Sequence, residues 1–324
     1  MRKKIFPLIL LAGILCLTGC EKEEQESKKL NIFEEPSVMQ EWKENLPASD
    51  DKVQSEMIRG LSVEKDGEEV FTVAYAPKEY KSSFAWWEIT APYTSQTTVN
   101  TETLYTLLGQ MDGVELSDAD TEKTLEETGI SDSETYITIA LSSDEEEADV
   151  DSVLRFQIGD SDGNGHVYAS DVETGTVGVL SETAVNTLLA VDPYDYILKI
   201  PVLPDITTVS DVEVEKSGEL HTMTLKDGEY VMDSREVDEE EYNTAYQNLL
   251  GILITGEVPK GETPDTEEEP ILSVRFFRNT DEASDIEVVY YPYDESYALI
   301  SINGAGCFLA DLEEVENVCG EFFD

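Results

Sequence analysis

Val63-Glu64-Lys65-Asp66-Gly67-Glu68 returns later in the chain as Val214-Glu215-Lys216-Ser217-Gly218-Glu219. Lys-Asp-Gly and Lys-Ser-Gly are turn sequences, because Asp, Ser and Gly accept the backbone that a tight reversal demands. Alternating apolar runs flank both copies. Ile58 to Val63 leads into Val70 to Tyr75, and Val209 to Val214 leads into Leu220 to Leu225. The spacing predicts two β-hairpins, each followed by a third strand, at Phe84 to Ile89 and at Tyr230 to Met232.

The parallel continues outward. Thr101 to Met111 carries Leu104, Leu107, Leu108 and Met111 at helical spacing, and Glu239 to Leu253 repeats the pattern about one turn longer. Asn100 and Asp238 are natural N-caps, and both helices contain Leu-Leu-Gly. An acidic loop follows in each copy, Ser117 to Ser133 and Lys260 to Glu269. Four strands come next: Tyr136 to Leu141, Val153 to Ile158, His166 to Ser170 and Thr176 to Leu180. Their counterparts are Ile271 to Phe277, Ile286 to Tyr291, Tyr297 to Ile302 and Gly306 to Leu309. A short helix closes each copy, near Glu182 to Leu189 and Leu312 to Cys319. The expected fold is α+β: two tandem modules of mostly antiparallel sheet, 57–190 and 208–324, each with about two helices packed on it. Residues 191–207 are the connector and 20–56 a tether and linker, in which Pro36 and Pro47 interrupt any long helix.

The chain has 324 residues, 40% of them hydrophobic, enough for two cored domains. Its 71 acidic residues against 21 basic ones give a net charge of −50. That balance excludes nucleic acid, since neutralising phosphates takes Lys and Arg. It also disfavours a body lying flat on an anionic bilayer. Acidic residues are spread along the whole chain, so they read first as a solvated surface and second as an attraction for basic partners or divalent cations.

The N-terminus gives an address. Arg2, Lys3 and Lys4 precede an apolar run from Ile5 to Leu17, and Leu17-Thr18-Gly19-Cys20 matches the lipobox of bacterial lipoproteins. Residues 1–19 are expected to be a lipoprotein signal peptide, with Cys20 acylated as the mature N-terminus. The alternative is a short membrane anchor with an incidental cysteine, although the run is short for a transmembrane helix. Cys16 goes with the signal. Cys307 and Cys319 remain, as a candidate disulfide allowed by an extracytoplasmic site or as two buried thiols.

Asp160-Ser161-Asp162-Gly163-Asn164-Gly165 is the sharpest local motif. It fits the start of a calcium loop, with Asp160, Asp162 and Asn164 as oxygen ligands and Asp171 where a bidentate Glu is usual. The flanks read as strands, so a plain hairpin turn competes with the calcium site. His166 and His221, the only histidines, lie in different copies and lack the spacing of a zinc site. In Trp86-Trp87, neighbours on a strand face opposite ways, so one ring goes to the core and the other outward, where it packs under a loop or stacks on a sugar. Tyr290-Tyr291-Pro292-Tyr293 poses the same choice. Carboxylates occur everywhere, so a glycosidase pair cannot be picked out. No phosphate-binding glycine loop or H-E-x-x-H occurs, and no catalytic residue or required cofactor is assigned.

Several short matches carry a family resemblance. They are Trp87-Glu88-Ile89 with Pro92, the helix end Leu107-Leu108-Gly109, Glu127-Thr128-Gly129-Ile130, Phe156-Gln157-Ile158-Gly159-Asp160 and Val167-Tyr168-Ala169. On these the duplicated unit resembles the family catalogued as domain of unknown function 4340, over most of residues 57–320. Glu-Thr-Gly-Ile stands where that family usually has Tyr-Gly-Leu, and the second copy has Tyr291-Pro292-Tyr293-Asp294 in place of Ile-Gly-Asp. The resemblance implies an envelope lipoprotein or membrane-anchored protein, in some members auxiliary to ABC-type transport systems, with no catalytic residues to carry over. The expectation is a non-enzymatic, lipid-anchored scaffold or binding protein on the extracytoplasmic face of the cell membrane. Its partner would be an envelope transporter or another envelope protein. A calcium- or wall-polymer-binding module and a wall-acting hydrolase are the alternatives.

Overall fold

The computed structural model describes residues 42–323, apart from 44–45, 50–51, 78–84, 94–96, 119–122, 146–147, 227 and 282–283. The signal segment, Cys20 and most of the tether therefore lie outside the described residues, as does Phe84 of the expected third strand.

Two antiparallel sheets of nine strands dominate, with few helices. The first contains β1 (Ile58–Lys65), β2 (Glu68–Tyr75), β3 (Trp87–Ala91), β4 (Thr97–Thr98), β5 (Ser117–Asp118), β6 (Tyr136–Leu141), β7 (Ser152–Ser161), β8 (His166–Asp171) and β9 (Val177–Ser181). Its order across the sheet is β4-β3-β2-β1-β6-β7-β8-β9-β5. The second contains β10 (Val209–Lys216), β11 (Glu219–Lys226), β12 (Glu229–Met232), β13 (Arg235–Val237), β14 (Gly256–Glu257), β15 (Leu272–Arg278), β16 (Asp285–Pro292), β17 (Tyr297–Ile302) and β18 (Ala305–Asp311). Its order, β13-β12-β11-β10-β15-β16-β17-β18-β14, is the same path drawn again.

Local chemistry explains the hairpins. Asp66 and Gly67 both have positive φ, 54° and 77°, and so do Ser217 and Gly218, 49° and 79°. Two successive left-handed residues match the twist of antiparallel strands, so Lys65 pairs Glu68 and Lys216 pairs Glu219 across each turn. Four α-helices are described: α1 (Thr101–Leu108), α2 (Glu182–Leu189), α3 (Glu239–Leu250) and α4 (Leu312–Phe323). Asn100 caps α1 by accepting from Thr103 N, and Asp238 caps α3 by accepting from Glu241 N. Both helices stop short of their expected ends. Gly109–Met111 tightens to a 3-10 turn, and α3 ends at Leu250, with Gly251 as its C-cap.

Leu104, Leu107 and Leu108 of α1, Tyr242, Tyr246 and Leu249 of α3, and Val315, Val318 and Cys319 of α4 are buried in one apolar cluster with strand residues of both sheets. The leucine and valine side chains among them each contribute about 1.5–3 kcal/mol by leaving water. The connector is part of this structure. Ile197 bridges Val99, Leu198 N donates to Thr98 O at 2.8 Å, and Asn100 N donates to Tyr196 O at 2.7 Å. On the other side Ile254 N donates to Lys199 O at 2.8 Å.

The outer faces of the sheets differ. In the first, Ser62, Thr72, Thr138 and Ala140 are fully buried and Val153 nearly so. Trp42 and Leu46 pack on Ala140 and Val153, and Ala48 adds to β7 beside Val153. Lys43 pairs with Glu64 and, at 3.0 Å, with Glu69. At the matching registers the second sheet carries Glu213, Thr222, Arg275, Phe277 and Asp285, with Arg275 and Asp285 exposed and paired at 2.6 Å. Uncharged residues thus stand where chain lies on top of the first sheet, and the charged pair Arg275–Asp285 stands where water covers the second.

Candidate binding surface

The Asp160 to Asp171 stretch is a β7–β8 hairpin, with Asp171 at the far end of β8. Asp160 N donates to Thr128 O at 2.8 Å, and its carboxyl lies against Gly129, where a Cβ would come within 2.6 Å. Asp162 Oδ1 accepts from Asn164 N and His166 N at 2.7 and 3.0 Å, and these bonds hold its carboxyl below the usual range. Asp171 Oδ1 accepts from Glu173 N and Thr174 N, closing the next turn. Asp171 pairs with Phe156, a strand's length from Asn164, so the structure does not bring the four candidate ligands together. Among the described residues, no group of three or more His, Cys, Asp or Glu is placed to hold a metal ion.

One motif in this hairpin is easily missed. Gly159-Asp160-Ser161-Asp162-Gly163 has the G-x-S-x-G spacing of a hydrolase nucleophile elbow. That elbow needs a strand-to-helix turn, whereas Ser161 is the last residue of β7, paired with Val167 of the antiparallel β8, and its Oγ accepts from Gly163 N at 3.1 Å. His166 Nδ1 sits 3.3 Å from Asp162, and His221 Nδ1 sits 2.6 Å from Asp233 in the other sheet. The structure leaves the two histidines apart, each beside an aspartate.

Cys307 and Cys319 are two buried thiols, not the candidate disulfide. Cys319 Sγ lies 3.6 Å from the Ile271 carbonyl oxygen, while Cys307 sits where β18 bulges against β17. The pieces of sequence Glu127-Thr128-Gly129-Ile130 and Ile158-Gly159-Asp160 do meet: a Cβ at Gly159 would come within 2.3 Å of Thr128 O.

Two places concentrate chemistry. The first is the seam between the sheets. Tyr93, 4% exposed, donates to Glu257 Oε1 at 2.6 Å, and its ring packs 4.8 Å from Phe308. Lys199 Nζ donates to Tyr194 O at 2.6 Å. Desolvation lowers the Lys199 pKa to about 8, against the pull of Glu257, Asp195 and Asp192. Desolvation also raises Glu257, with Asp192 and Asp195 adding to it and Tyr93 and Lys199 opposing. Burial, then the bond to Glu257, pushes the Tyr93 phenol far up. These groups tie the halves together.

The second is a groove of about 360 Å³ at the end of the first sheet, lined by Glu56, Arg59, Tyr75, Trp87, Tyr105 and Glu145 among others. Trp87 is the core-facing member of the Trp86-Trp87 pair, 2% exposed, and its indole N–H donates to the Tyr105 hydroxyl at 3.3 Å. Tyr105 stays 58% exposed. The Tyr75 ring is 5.3 Å from that of Trp87 and 6.0 Å from that of Trp86. The Arg59 guanidinium lies 5.3 Å from the Tyr75 ring centroid, held by the carbonyls of Glu56, Ile58, Asp144 and Glu145. The sequence pointed to the paired Trp, but Tyr75 and Tyr105 reach it from another strand and from α1, which no local spacing signals. No helix among the described residues is long and apolar enough to cross a membrane. Comparison with protein-family models, curated proteins and solved structures finds no match for this chain.

Proposed function

We propose that this chain is a non-enzymatic, lipid-anchored scaffold or binding protein on the extracytoplasmic face of the cell membrane, tethered through Cys20. The observation that carries the reading is the N-terminal order: Arg2-Lys3-Lys4, the apolar run, then Leu17-Thr18-Gly19-Cys20. The two tandem modules, 57–190 and 208–324, derive from duplication, which the shared strand order supports. Joined by the connector 191–207 and a common core, they form a broad acidic body suited to hold a basic surface of a transporter's outer portion or of another envelope protein. The test is mass spectrometry of the membrane-extracted protein. A mature chain starting at acylated Cys20 is expected, and Cys20→Ala is expected to release the body from membranes. An unprocessed chain retaining Met1 in the soluble fraction would end the reading. Cross-linking in intact membranes then identifies the partner.

A wall-polymer-binding reading stands second, favoured by the aromatic groove beside Arg59.

A further inference from the structure

The duplicated sheet supplies an internal control for the aromatic groove. By strand register, Tyr75 faces Trp87 in the first sheet where Leu225 faces Tyr230 in the second. Arg59 corresponds to Ser210, each following the first residue of its strand, and Tyr105, fifth after its helix cap, corresponds to Asn243. The fold is thus completed without Tyr105, Tyr75 and Arg59 at this position, so packing alone does not require them there.

We infer that this groove binds a neutral pyranose ring of an extracellular polysaccharide, stacked on Tyr105. Three observations select that chemistry. Tyr105 presents a largely open aromatic face, held in place through its hydroxyl by the Trp87 indole. Such a face takes the C–H side of a sugar. Glu56 and Glu145 stand along the same groove as acceptors for sugar hydroxyls. The cation position on the Tyr75 ring is already filled by Arg59, which leaves an ammonium ligand only the Tyr105 ring to sit on. The two carboxylates disfavour an anion. The volume, about 360 Å³, suits one or two sugar rings.

The inference rests on the extracytoplasmic reading only for where the polymer is met. The groove's affinity is measured separately from lipidation, so either can fail alone. The experiment is calorimetric titration of the full-length protein in detergent micelles with N-acetylglucosamine tetramer, cellotetraose and maltotetraose, and with choline as the cationic probe. Binding of at least one saccharide is expected, weakened about tenfold or more by Tyr105→Ala and within about threefold of wild type in Tyr105→Phe, which keeps the ring. Circular dichroism of both variants should match wild type, since the Tyr105 ring is mostly in solvent. No heat with any saccharide, unchanged affinity in Tyr105→Ala, or binding of choline in place of sugar would overturn the assignment.

Discussion

The Tyr93 hydroxyl donates to the Glu257 carboxylate at 2.6 Å across the seam between the two sheets, joining residues 164 positions apart. Tyr93→Phe keeps the ring on Phe308 and removes only that bond. A loss of about 1.5–3 kcal/mol is expected, because a hydrogen bond to a charged acceptor contributes that much. Tyr93→Ala also empties a buried ring site and should cost about 3–5 kcal/mol. Urea unfolding measures both. Equal costs for the two variants would show that the ring contributes nothing to the seam.

The same seam sets a pH dependence. Glu257 is raised in the folded protein, chiefly by desolvation, so the folded state holds its proton longer than the unfolded state. Its contribution is full below the ordinary value of 4.5 and is lost as pH rises through the folded pKa. Lys199 is lowered, chiefly by desolvation, to about 8 from 10.5. Between those values the unfolded state binds more protons, so its contribution grows as pH rises. Glu257→Gln should flatten the fall of stability with pH above 4.5, measured as melting temperature against wild type. An unchanged profile would place the titration elsewhere.

Gly159 lies under the loop carrying Thr128, and an added Cβ would come within 2.3 Å of that carbonyl oxygen and 2.8 Å of Ile130. Backbone cannot yield as a side-chain tip does. Gly159→Ala should destabilise by about 1–3 kcal/mol. Gly178→Ala, whose Cβ would meet Ser117 O at 2.3 Å, should detach β5 from β9. Hydrogen exchange at Asp118 and Val179 reports that detachment.

Lys43 clamps the chain over the first sheet with 11% of its side chain exposed, against Glu64 at 13%. Lys43→Met should cost about 2 kcal/mol, less than for a fully isolated pair because Arg155 remains 3.4 Å from Glu64. Adding Glu64→Gln should recover part of that loss, and a double-mutant cycle in urea checks it.

What the sequence made legible was local. The turns at Asp66-Gly67 and Ser217-Gly218, the caps Asn100 and Asp238, and the apolar spacing of α1 and α3 are all written in contiguous residues. Thr97–Thr98, Ser117–Asp118, Arg235–Val237 and Gly256–Glu257 escaped notice because strands of two or three residues have no periodicity. Asp160 and Asp171 looked like ligands because a calcium loop and a tight hairpin draw on the same Asp, Asn and Gly chemistry. Only the fold reveals that their oxygens are engaged with backbone amides or packed on a glycine. The groove and the seam were illegible for one reason: their partners, Tyr105 of α1 with Trp87 of β3 and Tyr93 with Glu257 of β14, meet only once distant elements have packed.

The Ile197-Leu198-Lys199 connector bonds to the edge strand of one sheet and to the chain leaving α3 in the other. A chain growing from its N-terminus therefore cannot seal its first nine strands until Leu198 has been made, well past the last residue of α2. Until then Thr98 offers an open edge to any passing extended segment. A chain ending before Leu198 would leave that edge uncovered and is expected to self-associate more readily than the full chain.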